Sequence, residues 1–336
     1  MSTVAKAGAF GAGPPSEGAL VIRPERVTSS RDLGRRAFAK GSNFDRMPDV
    51  DLDRAADFVW RNARLLDRHL FARRFKGASP EHVIHALRSY QNDDGGFGNA
   101  LEPDLRGPDS QPIHVDMAFR IFHEVGVAPP EMVSRACSYL MSMSGETGGV
   151  PAILPTAARF PRAEHWDPRA WIADSLNPTA MLVGLLHAMK VGHAWLDRAD
   201  AFCWRRLTET KVESGPELAA VFCFLNNAPD RRRAVQATED VADAIPNAAF
   251  FALDPEDHTG EYALTPLHLA PDPDCMAASL FAPELLGAHV EHLMDQQQED
   301  GGWPITWNAP SEAAALQWRG RLTVEALTTL QAYQVL

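Results

Sequence analysis

Two short strings of the chain share one pattern of glutamine, glycine and aromatic residues. The first, QNDDGGFG, occupies Gln91 to Gly98, and the other, QQEDGGWP, which is the third string in chain order, occupies Gln297 to Pro304. A weaker copy, SGETGGVP, occupies Ser144 to Pro151, where Thr147 and Val150 replace the acid and the aromatic residue. A glycine just past a helix end can adopt the left-handed conformation that closes the last turn. The pattern therefore indicates helix ends followed by tight turns.

The three strings are in phase with one repeat along the chain. Gly95 and Gly148 are 53 positions apart, and Gly148 and Gly301 are 153 apart, which is three steps of 51. A period of this length is typical of arrays built from one supersecondary unit. Apolar residues recur at helical spacing between the strings, and strand patterns are nearly absent. The sequence therefore predicts an all-α fold of about five to six helical hairpins.

Prolines mark where several of these helices are predicted to begin. Pro80, Pro112, Pro130 and Pro283 each precede apolar residues at helical spacing, and proline is favoured in the first turn of a helix. The last helix is predicted over Leu322 to Val335.

At the two strong strings the chain resembles the terpenoid cyclase and protein prenyltransferase superfamily, whose members are α/α toroids. The resemblance covers roughly residues 46 to 336. It implies a single barrel of inner and outer helices around an apolar funnel that binds isoprenoid chains. Residues 1–45, rich in Gly, Pro and Arg, are predicted to form an irregular N-terminal arm. The residues that carry the resemblance are Gln91, Gly95, Gly96, Phe97, Gln297, Gly301, Gly302 and Trp303.

Composition narrows the classes of partner and compartment. The 336 residues carry a net charge of −12, which argues against a nucleic-acid-binding surface. No run approaches the roughly 18 apolar residues of a membrane span. Composition therefore favours a cytoplasmic protein of undetermined oligomeric state, and the resemblance implies an apolar small-molecule substrate. Four separated cysteines form no CxxC pair and are interpreted as buried residues in a reducing compartment: Cys137, Cys203, Cys223 and Cys275.

A zinc site is not expected. The zinc-dependent prenyltransferases of this superfamily carry an Asp-x-Cys shortly after a Gly-Gly-aromatic string, and a distal His. The segment after Phe97 contains no cysteine, and the predicted helix after Trp303 contains no histidine. Cys275 directly follows Asp274, which is the wrong spacing for that motif. We therefore predict neither a metal of this type nor any other cofactor.

Acid chemistry is the alternative that the resemblance implies. Class II terpene cyclases protonate an alkene with the middle acid of an Asp-x-Asp-Asp motif, whose pKa must be raised by burial. The segment Asp272 to Cys275 is similar, with Cys275 in place of the last acid, and makes Asp274 a candidate donor. The competing interpretation is a Pro-Asp turn before a helix.

The loop LEPDLRGPDSQPIHVD, which follows the first string, is the densest group of functional side chains in the sequence. Asp104 and Asp116 are candidate catalytic acids, and Arg106 and His114 are candidate substrate-binding residues. An ion-paired surface loop is the competing interpretation. Further candidates for substrate binding, mostly through aromatic faces that attract cations, are Trp171, Trp307, Trp318 and Arg319.

The function predicted from these features is acid-initiated cyclisation or isomerisation of an isoprenoid or similar apolar polyene, without a metal. Three alternatives remain: a non-catalytic isoprenoid carrier, a prenyltransferase-like transferase, and a lyase or hydrolase of sugars. The last would need a carboxylate pair and exposed aromatic residues. The lining of the central cavity distinguishes them, because an apolar funnel favours cyclisation and a polar aromatic groove favours sugars.

Overall fold

The computed structural model describes residues 20–21 and 49–336, apart from residues 172, 258 and 259. About 60% of the described residues are helical, so the predicted all-α class is confirmed. Strand β1 (Leu20–Val21) pairs antiparallel with strand β2 (Val127–Ala128). Apart from β1, the arm predicted over residues 1–45 lies outside the described residues. Within the described part of the chain, no helix is long and apolar enough to cross a membrane.

Thirteen α-helices occupy the described residues, and most begin or end where capping chemistry predicts. Pro80, Pro112, Pro130 and Pro283 each open a helix, as expected from the sequence. The helices are α1 (Leu52–Asn62), α2 (Leu65–Phe75), α3 (Pro80–Arg88), α4 (Pro112–Val125), α5 (Pro130–Met143), α6 (Pro168–Trp171), α7 (Leu176–Ala188), α8 (Ala194–Glu209), α9 (Gly215–Asn227), α10 (Arg231–Ala242), α11 (Pro266–Leu269), α12 (Pro283–Asp295) and α13 (Glu312–Ala332).

The last helix is longer than the sequence predicted. It begins at Glu312 rather than Leu322, because the Ser311 side chain caps it by accepting a hydrogen bond from the Ala314 amide. The additional turns carry Trp318. The prediction missed them because residues 312–320 lack the apolar spacing of a one-sided helix.

The three strings form equivalent joints between consecutive helical units. Their first glycines, Gly95, Gly148 and Gly301, have φ of +89°, +87° and +90°. A Cβ atom at these positions would lie 2.5, 2.5 and 2.3 Å from a backbone carbonyl oxygen of the next unit. Only glycine permits both the conformation and the close approach. The facing helix residues are an arginine and, four positions later, an aromatic residue under the second glycine: Arg135 and Tyr139, Arg198 and Phe202, and Arg54 and Phe58.

The glutamine of each strong string fastens its joint with the same pair of hydrogen bonds. Gln91 Nε2 donates to the carbonyls of Gly95 and Met132, both at 2.9 Å. Gln297 Nε2 donates to Gly301 at 3.1 Å and to Asp51 at 2.9 Å. The last string therefore docks on α1, the first helix of the described domain.

The acid position of the string caps the second glycine. Asp94 and Asp300 each accept a hydrogen bond from the amide two residues later, and Thr147 Oγ1 does the same in the weak copy. The aromatic residues Phe97 and Trp303 are 0% and 2% exposed and belong to one hydrophobic core that includes residues of the helices on both sides. Burying an aromatic side chain stabilises a fold by roughly 2–3 kcal/mol, so the strings are structural.

Candidate functional site

The loop between the first string and α4 is anchored by a buried ion pair. Arg64 Nε lies 2.7 Å from Asp67 Oδ2, and their side chains are 6% and 0% exposed. Arg64 Nη1 also donates to the carbonyl of Leu101 at 2.7 Å. The loop therefore follows the protein interior, which leaves Glu102 and Asp104 only 3% and 1% exposed.

Asp104 is a buried carboxyl beneath two indole rings. Trp307 Nε1 donates to Asp104 Oδ2 at 2.7 Å, while no described protein atom hydrogen-bonds to Oδ1. Burial is the largest influence and raises the pKa of Asp104 to about 6, against the opposing effects of Trp307, Trp318 and Arg106. The Trp318 indole is close enough to affect this pKa, although its N–H lacks hydrogen-bonding geometry to any described protein atom.

Glu102 is perturbed more strongly than its neighbour. Burial raises the pKa of Glu102 well above its usual value, and the charge of Asp104 raises it further. Its Oε2 atom has no hydrogen-bond partner among the described protein atoms. Two neighbouring carboxyls whose pKa values are both raised suit acid–base chemistry, and the charge of Asp104 favours Glu102 as the member that keeps its proton.

Three aromatic side chains stand beside this carboxyl pair. The rings of Tyr262 and Trp307 lie 5.5 Å apart at 88°, and those of Trp307 and Trp318 lie 5.4 Å apart at 81°. Tyr262 is 38% exposed. Even so, burial raises its pKa to about 12, with Arg120, Glu102 and Glu325 as its charged neighbours. Tyr262 is therefore partly exposed and has both aromatic and charged neighbours.

Charged side chains of α4 and α13 complete the lining. Arg120 Nε lies 2.9 Å from Asp116 Oδ2, and the Arg120 side chain is 42% exposed whereas that of Asp116 is 3% exposed. Glu325, 44% exposed, accepts from Arg321 Nε at 2.7 Å. Burial is the largest influence on the pKa of Arg120, although the net shift is upward because of Asp116. We give the name central recess to this group of neighbouring side chains: Glu102, Asp104, Arg120, Tyr262, Trp307, Trp318 and Glu325.

Several predicted site residues therefore belong to one place. Asp104, Trp307 and Trp318 line the central recess, and Asp116 supports it through Arg120. Arg106 turns away to bond Gln317 Oε1 on α13 and joins the loop to that helix.

His114 is a structural residue of the loop. It is 0% exposed, and its Nδ1 atom lies 3.2 Å from the carbonyl oxygen of Phe97. Burial lowers its pKa to about 4, so its ring is neutral at physiological pH.

The other predicted site residues lie outside the recess. Asp274 is exposed in a turn, where its amide donates to Asp272 Oδ1 at 2.8 Å. An exposed carboxyl lacks the burial that keeps a proton donor neutral. Arg319 fastens the third string, because it pairs with Asp300 at 2.7 Å and lies 4.4 Å from the Phe58 ring centroid.

Trp171 packs on Trp166, with ring centroids 5.6 Å apart, and donates to the carbonyl of His165. His165 Nε2 lies 3.9 Å from Asp104 Oδ2. The two tryptophans are therefore neighbours of the recess and not part of its lining.

Sequence reasoning missed Tyr262, Arg120 and Glu325. The last two had a detectable signal: charged residues recur at helical spacing on otherwise apolar helices, as Asp116, Arg120 and Glu124 do on α4. Such a stripe indicates a polar interior surface. Tyr262 lies between helices and had no such signal.

No group of three or more His, Cys, Asp or Glu residues is arranged to hold a metal ion in the described ranges. The donors that the central recess offers are carboxyls, a guanidinium and aromatic N–H and O–H groups, which suit hydroxylated organic ligands.

No protein-family model and no curated protein matches the chain. Among solved structures, it is similar to a protein from Actinoplanes at 14% sequence identity. The similarity covers 84% of this chain and 98% of that one, with a TM-score of 0.51. At this identity the similarity shows a common fold alone.

Proposed function

We propose that the chain is an α/α-toroid enzyme that cleaves a glycosidic bond of a carbohydrate by general acid–base catalysis in the central recess. The observation that carries this proposal is the pair of buried carboxyls, Glu102 and Asp104, placed beside three aromatic rings.

The contacts between helices support a closed toroid. Six helices pack in series, each against the next, in the order α13, α2, α4, α7, α9 and α11. Tyr333, at the end of α13, donates its hydroxyl hydrogen to the carbonyl of Ala270, at the end of α11. The docking of Gln297 on Asp51 adds an outer contact between the last and first units. This arrangement and the repeated strings also support a similarity of fold to the terpenoid cyclase superfamily.

The two carboxyls have complementary roles in the proposed reaction. Glu102 donates its proton to the oxygen of the leaving sugar as the bond from that oxygen to the anomeric carbon breaks. Asp104, ionised above its pKa of about 6, accepts a proton from the water that attacks the anomeric carbon. The products are two sugars with free hydroxyl groups. Glu102 is then ionised and Asp104 is protonated.

The polarity of the recess favours a sugar over a polyene. Arg120 and Glu325 keep 42% and 44% of their side-chain surface exposed. An apolar chain would desolvate these groups without offering hydrogen bonds, which is costly. A sugar offers hydroxyls to the charged groups and an apolar ring face to Trp307 or Trp318.

Acid-initiated cyclisation of an isoprenoid is the second candidate. It is favoured by one observation, a carboxyl with a strongly raised pKa, Glu102, close to Tyr262 and the indole rings. Such rings stabilise carbocations through their π faces. In this reaction Glu102 would transfer its proton to an alkene carbon.

The test is turnover by wild type, Glu102→Gln, Asp104→Asn and Asp274→Asn. Release of reducing ends from polysaccharides is measured beside product formation from polyprenyl substrates. We expect sugar release by wild type and by Asp274→Asn, with losses of roughly 10²-fold or more in the other two. Turnover of polyprenyl substrates alone would establish the second candidate. Full activity in both recess variants would reject this site, and binding without conversion would favour a carrier.

A further inference from the structure

We infer that the ligand of the central recess carries an anionic group, a carboxylate or a phosphate, which the Arg120 guanidinium binds. An anionic sugar as the ligand specifies the substrate class of the proposed sugar-cleaving site, and its identification as a sugar rests on the proposed function.

Arg120 is fixed in one orientation by its own helix. Asp116, one turn earlier on α4, accepts a hydrogen bond from Arg120 Nε at 2.9 Å, and the Asp116 side chain is 3% exposed. This is the hydrogen bond that Arg120 makes within the described part of the chain. Its two terminal nitrogens therefore stay available, on a side chain that is 42% exposed. A guanidinium held through Nε and open at both Nη atoms matches the two oxygens of a carboxylate or phosphate.

Glu325, the charged group that faces Arg120 from another helix, favours the guanidinium charge but is not hydrogen-bonded to its outer nitrogens. Glu325, from α13, is engaged by Arg321 Nε at 2.7 Å. Cys223, from α9, and Tyr262 are neutral near pH 7, because burial raises the pKa of each to about 12. Glu102, from the loop, is buried, and burial raises its pKa well above the usual value.

Arg321 cannot take the same role. Its side chain is 6% exposed, and its guanidinium bonds both Glu124, at 2.9 Å, and Glu325, at 2.7 Å. Arg120 is thus the exposed cation of the central recess as its lining is defined above. For a carbohydrate ligand, this geometry selects a uronic acid or a sugar phosphate over a neutral sugar.

The competing explanation is that Arg120 only neutralises Asp116. In that case the outer nitrogens would contribute nothing to ligand selectivity. The two explanations differ in ligand binding, which can be measured without turnover through the fluorescence of Trp307 and Trp318.

The experiment titrates wild type with glucuronate, glucose and inorganic phosphate. Removing Arg120 alone would leave Asp116 buried without its partner, so the test variants are Arg120→Lys, which keeps the charge, and the double change Asp116→Asn with Arg120→Gln. Arg169→Gln, in an exposed ion pair, is the matched control. We expect glucuronate to bind wild type and the control at least tenfold more tightly than glucose. Arg120→Lys should lose most of that preference and the double variant all of it, so that the double variant binds the two sugars with similar affinity.

The outcomes separate the two proposals. Equal affinities for glucuronate and glucose in wild type, or a preference that survives in the double variant, would overturn the anionic ligand and leave the sugar-cleaving function standing. Phosphate binding that depends on Arg120, with no response to either sugar, would support the anion site and count against the carbohydrate. No response to any of the three probes would overturn the inference.

Discussion

Trp307 donates its indole hydrogen to Asp104 at 2.7 Å across 203 positions of the chain. Asp104 follows the first string and Trp307 follows the third, so the bond joins equivalent loops of two repeat units. The central recess is therefore built between repeats, by the same segments that the strings place at the start of α4 and α13.

The first prediction concerns the pH dependence of kcat/KM. Asp104 acts as base when ionised, so activity should rise through about pH 6, the pKa of Asp104. It should fall again at higher pH as Glu102 loses its proton, which gives a bell-shaped profile. Rates of sugar release from pH 4 to 10 measure this. A profile that is flat between pH 5 and 7 would contradict the assignment.

Replacing Trp307 by Phe should move the rising limb of that profile. The indole hydrogen bond lowers the pKa of Asp104, so its loss should shift the limb to higher pH, by up to about one unit. The ring and most of its packing are retained. Trp171→Phe, outside the recess, is the control and should leave the limb in place.

The stability of the protein should also depend on Asp104. The folded protein holds this proton more tightly than the unfolded chain, since the pKa is about 6 rather than 3.8. The stabilisation is complete below pH 3.8 and is lost as pH rises through 6, by on the order of 2–3 kcal/mol. Asp104→Asn should remove this loss. Urea denaturation at pH 4 and pH 7.5 would show a smaller difference for the variant, and an unchanged difference would refute the prediction.

Replacing a glycine of a joint by alanine should destabilise the protein far more than the same change at an unconstrained glycine. Gly301→Ala places a Cβ atom 2.3 Å from the Arg54 carbonyl oxygen at φ +90°, so we expect a loss of more than about 2 kcal/mol. Gly192→Ala meets nothing within 4 Å and should be close to neutral. Denaturant midpoints of the two variants give the comparison, and equal midpoints would rule out the joint as a rigid contact.

The buried ion pair that anchors the loop should be essential for the stability of the fold, whereas an exposed ion pair should not. Arg64→Met leaves Asp67, 0% exposed, charged and unpaired, which costs about 3–5 kcal/mol. Arg169→Met removes a partner that is 91% exposed and should leave the melting temperature almost unchanged. Thermal unfolding followed by circular dichroism measures both. Similar melting temperatures would mean that water reaches Asp67.

The sequence predicted the fold class because the strings carry backbone requirements that only glycine meets. It also found the loop of Asp104, since polar residues are dense there. It assigned Asp274 from a local pattern, which contains no information on burial. It did not find Tyr262, because the ring contact with Trp307 joins residues 45 positions apart in the chain.

The polarity of the recess was the main difference from expectation. The family resemblance implied an apolar funnel, whereas Arg120 and Glu325 line the recess with charge. A repeat motif at helix ends constrains how consecutive helices join, not which side chains the same helices bury. Only the spacing of charges along α4 and α13 carried that information.

The docking of Gln297 on Asp51 makes α1 dependent on a segment that is synthesised much later. The two residues are 246 positions apart, which corresponds to on the order of 10–50 s of translation. Until Gly301 and Gly302 emerge, the face of α1 that carries Phe58 lacks its cover. Until then the nascent chain presents the apolar face of α1 to chaperones, and a ribosome that stalls before the third string should release a product prone to aggregate.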